Sequence, residues 1–196
     1  YLAQMWQCMK NAIVEGLQTE GILDGGLNVV RRAKKLLKQL PKESPRTYEN
    51  RMVAAYAFAV CEQNASGGQI VTAPTCGACG VLPAVLLTYA DQMGADEDKI
   101  VEALYTAAGI GQIIAHRASI SGAFGGCQAE IGSASAMAAG ALVYLQGGSN
   151  EEICGATAIA LKSLLGLTCD PIGGLVEVPC VYRNVGSSGV AFTAAD

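Results

Sequence analysis

Apolar residues recur at helical spacing along most of the chain. In residues 2–18, Met5, Cys8, Met9, Ala12, Ile13 and Leu17 fall on one face, which predicts an amphipathic helix. The same period predicts helices over residues 28–40, 49–64, 82–92, 96–116, 128–145 and 149–165. The second stops before Pro41, because the residue ahead of a proline is pushed out of helical geometry. Asp96, and Ser149 or Asn150 followed by Glu151 and Glu152, read as acidic helix starts. Residues 69–72 are strand-like but too few to found a sheet. Gly-Gly pairs at 25–26, 67–68, 125–126, 147–148 and 173–174 read as caps and tight turns. The pattern predicts an all-α fold, a multi-helix bundle with long glycine-rich connecting loops, and one domain over residues 1–196.

Composition sharpens this picture. The 196 residues are 51% hydrophobic but only 6% aromatic, with 24 glycines, so the core is expected to be built from small, closely packed side chains. Charged residues make up 15%, well below the ~25% of an average soluble domain, which predicts a surface that is in large part either apolar or covered by a partner and excludes disorder. The net charge of −4 argues against nucleic acid. Nine of the 13 basic residues lie at or before Arg51, and the cluster Arg31, Arg32, Lys34, Lys35, Lys38 reads as a solvated face or a site for an acidic partner. The longest uncharged stretch, residues 63–90, is broken by glycines, prolines and polar residues, so no membrane span is expected. No secretion signal is read at the start of the chain, and a reducing cytoplasm is the expected setting for its eight cysteines.

Cys8, Cys61 and Cys154 fall on predicted apolar helix faces and read as buried hydrophobes. The others lie in four loop-like segments that mix glycine, small hydroxyl residues and cysteine: residues 71–80, 118–127, 167–171 and 178–184. Glycines and prolines beside Cys127, Cys169 and Cys180 favour fixed, exposed thiols. Three thiolates and a single histidine, His116, suit an iron-sulfur cluster better than zinc, although zinc could recruit a fourth cysteine. Cys76 and Cys79 form a C-x-x-C pair, which alone fits a redox pair, metal ligands or a plain turn.

Residues 119–132 (SISGAFGGCQAEIG), 165–174 (LGLTCDPIGG) and 178–184 (VPCVYRN), together with 72–75 (TAPT), closely resemble the cluster-binding region of the iron-sulfur-dependent L-serine dehydratases. The resemblance runs over nearly the whole chain, and the form of the motifs is that of the α chain of the two-chain version. It implies that Cys127, Cys169 and Cys180 bind a 4Fe-4S cluster, that a separate β chain is the partner, and that a full-length chain continues past Asp196. Cys76 departs from the family pattern.

The implied chemistry is conversion of L-serine to pyruvate and ammonia without pyridoxal phosphate. An iron lacking a protein ligand would act as a Lewis acid on the substrate carboxylate and hydroxyl. Lys99 and Lys162 sit on predicted helices with no phosphate-binding context, which argues against a Schiff-base route. Arg117 and Arg183 adjoin the motifs and are candidates for the substrate carboxylate, or for structural ion pairs. Ser119, Ser121, Thr75, Asn64 and Asn184 are candidates for hydrogen bonds to substrate or cluster, or for helix caps. His116 has the chemistry of a base, and equally that of a structural histidine at a helix end. A cluster-dependent cysteine desulfidase and a non-catalytic helical protein with structural zinc are the competing readings.

Overall fold

The computed structural model describes residues 1–42 and 44–196. The chain folds into α-helices: α1 (Leu2–Gln18), α2 (Ala33–Gln39), α3 (Pro45–Ala65), α4 (Val81–Met93), α5 (Glu97–Arg117), α6 (Gly122–Gly125), α7 (Cys127–Leu145), α8 (Asn150–Ser163) and α9 (Cys180–Ala195). Single 3₁₀ turns lie at Leu40–Lys42, Cys76–Ala78 and Ile172–Gly174. The fold is all-α; the one β-type pairing among the described residues is an antiparallel bridge between Ile22 and Val30, closed over Gly25 and Gly26. Residues 69–72 form no strand. No helix among the described residues is long and apolar enough to cross a membrane.

Two helices organise the interior. α7 carries no charge after Glu130 and is buried continuously from Ile131 to Val143, as a helix apolar on all sides must be. Its side chains there are mostly Ala, Gly and Ser, so α4, α5, α8 and α9 all pack directly against it. α3 is the second centre, touching α1, α2, α4 and α9. At the α1–α3 crossing Gly16 lies on the Ala59 backbone, where a methyl group would stand 2.7 Å from Ala59 Cα; the close approach needs glycine. The buried apolar side chains of these helices form one contiguous cluster.

The helix ends follow their local chemistry. The Asp96 side chain caps α5 by accepting the Asp98 N–H. Ser149 and Glu152 make a reciprocal capping box on α8, a feature of about 1 kcal/mol. α4 ends on Gly94 in the left-handed region. Of the basic cluster, Lys34 and Lys38 pair with Glu20, and Arg31 bonds the Ser66 hydroxyl.

Three expectations are corrected. Residues 28–32 do not open α2, because they are spent on the bridge, with Asn28 at φ 54°. Cys154 is exposed on α8 rather than buried. Residues 178–184 are not a loop but the entry and first turn of α9, whose Ser187, Ser188 and Ala191 are buried against neighbouring helices. Ser135 of α7 donates its hydroxyl to the Ser187 carbonyl at 2.9 Å, tying the two helices together.

Candidate cysteine-lined site

Gly126 joins α6 to α7 at φ 74°, ψ −171°, a conformation essentially reserved for glycine. This turn points the first N–H groups of α7 at the 167–169 loop. Gln128 N–H donates to the Leu167 carbonyl at 3.0 Å, and Cys127 N–H to Thr168 at 3.5 Å. The gap is so narrow that a methyl group on Gly126 would stand 2.8 Å from Leu167 O and 3.1 Å from Cys169 N. The Cys169 backbone is thus laid against the residue before Cys127. Gly166 N–H donates to the Gln128 side chain at 3.0 Å and anchors the start of the same loop.

α9 brings the third cysteine. Pro179 precedes Cys180, and Tyr182 sets the helix end by an edge-on contact with Phe58 of α3 and by receiving the Arg32 guanidinium over its ring. Arg183 then reaches back. Its Nη1 donates to the Thr168 carbonyl and to Asp170, each at 2.7 Å, and the guanidinium lies against the Cys127 thiol. One arginine therefore braces the Cys169 loop, α7 and α9 at once.

The Cys127 and Cys180 sulfurs are 3.9 Å apart and buried, at 1% and 7% exposure. Burial, the neighbouring Cys127 and the Glu130 carboxylate push the Cys180 thiol up to about 12, against the opposing charge of Arg183. Cys169 is exposed, on the loop held against this pair. Among the described residues no three His, Cys, Asp or Glu side chains are gathered closely enough to hold a metal ion. The expectation of exposed thiols thus holds for Cys169 and fails for Cys127 and Cys180, which open helices that pack into the core. The donor set still suits a sulfur-rich cluster: two thiols side by side, a third on an adjoining anchored loop, and an arginine beside them.

The C-x-x-C residues part company. Cys76 is exposed, whereas Cys79 is buried against Cys61 of α3. The neighbouring Cys79 and burial raise the Cys61 thiol well above its usual range.

The remaining candidates divide into two sets. Thr75, Asn64 and Asn184 all fix the 75–80 turn. Asn64 donates to the Cys76 carbonyl at 3.1 Å, and Thr75 donates its hydroxyl to Glu130 at 2.7 Å. Asn184, 1% exposed, donates to Gly77 and Cys180 carbonyls at 2.7 and 2.8 Å and accepts the Gly80 N–H at 3.1 Å. Ser119 and Ser121 form the turn between α5 and α6, where the Ser119 hydroxyl accepts the Ser121 N–H at 3.1 Å. His116 and Arg117 are exposed on the last turn of α5, and no hydrogen bond or ion pair among the described residues ties either to the thiol-bearing segments. Glu130 was not among the candidates. Its signal was present in the spacing, since a residue three after Cys127 lies on the same face of a helix.

Residues 1–196 match the family described as serine dehydratase alpha chain. The chain is 48% identical over 196 residues to an L-serine dehydratase of Streptomyces coelicolor, covering 99% of this chain and 43% of that protein. It is 46% identical over 198 residues to L-serine dehydratase TdcG of Escherichia coli, covering 98% of this chain and 44% of that one. With a Bacillus subtilis protein named as a probable L-serine dehydratase alpha chain it shares 49% identity over 140 residues, 71% of this chain and 47% of the relative. The chain spans less than half the length of these curated relatives.

Proposed function

This chain belongs to the serine dehydratase alpha chain family, and we propose that it forms the cluster-binding part of an enzyme that converts L-serine to pyruvate and ammonia. The observation that carries the reading is the meeting of the Cys127, Cys169 and Cys180 segments, braced by Arg183. In this reading the three thiolates hold a 4Fe-4S cluster. When bound, the cluster supplies a Lewis-acidic iron without a protein ligand, which makes the substrate hydroxyl a better leaving group.

The chain's own residues do the rest. Gly126 lets the Cys169 loop close onto α7, and Arg183 holds that loop. Arg183 and Arg117 are the proposed partners of the substrate carboxylate. Ser119 and Ser121 offer hydroxyls from the turn that leads into Cys127, and His116, on the last turn of α5, has the chemistry of a base for the Cα proton. Thr75, Asn64 and Asn184 keep the 75–80 turn in place as a wall. Free thiolates suit a reducing compartment such as the cytoplasm.

A β chain or β region is the proposed partner. Support comes from the length of the relatives and from an apolar groove beside the Cys127 turn, lined by Ile114, Phe124, Leu161 and Leu165, with Phe124 86% exposed. The test is product formation by the complete protein after anaerobic reconstitution. Pyruvate and ammonia from L-serine support the reading; sulfide from L-cysteine with no turnover of L-serine contradicts it.

A further inference from the structure

Glu130 has a setting that the residues assigned above leave unused. Its carboxylate is half-buried on the face of α7 that carries Cys127 one turn earlier. Oε1 accepts the Thr75 hydroxyl at 2.7 Å. Both oxygens lie 3.2 Å from the place a methyl group on Gly77 would take, and one on Gly122 would collide with Oε2. Three segments therefore close around this carboxylate: the 75–77 turn, the turn after Ser121, and α7. None supplies a cation, and among the described residues Glu130 makes no ion pair. Other carboxylates near basic side chains, such as Glu20, Glu97, Glu102 and Asp170, do.

A carboxylate in a partly desolvated niche, with a neutral hydroxyl as its donor and no cation beside it, suits a cationic ligand. The charges around the thiols have a matching order. Glu130 stands three residues after Cys127 on α7 and Arg183 three residues after Cys180 on α9, so a negative and a positive side chain each lie one turn inside a helix opened by a site cysteine. An α-amino acid carries the complementary charges, one carboxylate and one ammonium, on a single carbon.

We propose that Glu130 receives the α-ammonium group of the substrate and thereby sets the preference for an amino acid over a simple hydroxy acid. The assignment rests on the dehydratase reading. In it, Thr75 is a positioning residue that fixes the Glu130 carboxylate, the glycines at 77 and 122 let both turns come up against it, and the ammonium reaches it from its partly exposed side.

The test compares the complete wild-type protein with Glu130→Gln, both reconstituted anaerobically. L-Serine is the substrate, and 3-hydroxypropionate, the same molecule without its ammonium group, is the competitive inhibitor. Loss of one charge-assisted hydrogen bond is expected to raise KM for L-serine on the order of 100-fold. The inhibition constant of 3-hydroxypropionate should move less than about threefold, and iron per chain should not change. Thr75→Val gives a second measurement should Glu130→Gln fail to fold: a several-fold rise in KM, again with the inhibitor constant steady. Parallel loss of both ligands, an unchanged KM, or loss of iron overturns the assignment while leaving the dehydratase reading standing. A wild-type protein that does not convert L-serine overturns that reading, and this assignment with it.

Discussion

Replacing Asn184 by alanine removes a side chain that is fully buried and has all its hydrogen bonds on backbone groups. The Cys180 carbonyl keeps its in-helix partner, but the buried Gly80 N–H and the part-buried Gly77 carbonyl lose theirs. Each orphaned group costs ~1–3 kcal/mol, and the small cavity adds to that, giving roughly 3–5 kcal/mol in all. For a chain of this size that corresponds to a fall in melting temperature of about 6–20 °C. Thermal unfolding followed by circular dichroism measures it. Asn184→Asp sharpens the comparison, since it keeps the acceptor for Gly80 but aims a buried carboxylate at two carbonyls. Burial and those carbonyls would raise its folded pKa, so its stability should recover as the pH falls. A loss below 1 kcal/mol for Asn184→Ala, or an Asp variant insensitive to pH, would refute the view of Asn184 as the bracket that holds the 75–80 turn to α9.

Two further outcomes test neighbouring parts of the account. Gly126→Ala should lose most of its bound iron after reconstitution while keeping its helical content, because a side chain there is both conformationally strained and driven into Leu167 O and Cys169 N; retained iron would show that the loop contact is dispensable. The Glu62 carboxyl is raised above its usual value of 4.5 by burial, with the N–H groups of Arg32 and Ala33 and the charges of Arg31 and Arg32 acting in opposition. A raised folded pKa means stability that is present below the unfolded value and is lost as the pH rises through the folded one. The melting temperature of Glu62→Gln should therefore gain on that of the wild type from mildly acid to neutral pH, and a difference that stays constant or reverses would contradict this.

Caps and periodicity were legible because their causes are local. Asp96 and Ser149 close helices in the structure through contacts two and three residues away. α9 was not legible: Gly186, Ser187, Ser188 and Gly189 have the composition of a loop, and only burial against α3, α4, α7 and α8 makes them a helix. The same limit applies to the site. Glycines and prolines beside Cys127 and Cys180 argued for exposed thiols, yet each opens a helix whose first turn enters the core. Spacing linked Cys79 to Cys76, while packing puts it against Cys61, a partner no local pattern specifies. Glu130 lies one turn inside a helix, outside the irregular segments where glycine, hydroxyl residues and cysteine cluster, so their composition does not mark it.

The central claim is that Cys127, Cys169 and Cys180 together hold an iron-sulfur cluster. Iron and acid-labile sulfide, determined on the anaerobically reconstituted complete protein alongside its visible spectrum, test this most directly. About four irons and four sulfides per chain with broad visible absorbance are expected. The absorbance should be lost on replacing any one of the three cysteines by serine, and kept in Cys76→Ser. A colourless protein holding zinc, or one bleached by Cys76→Ser but not by Cys127→Ser, would contradict the account.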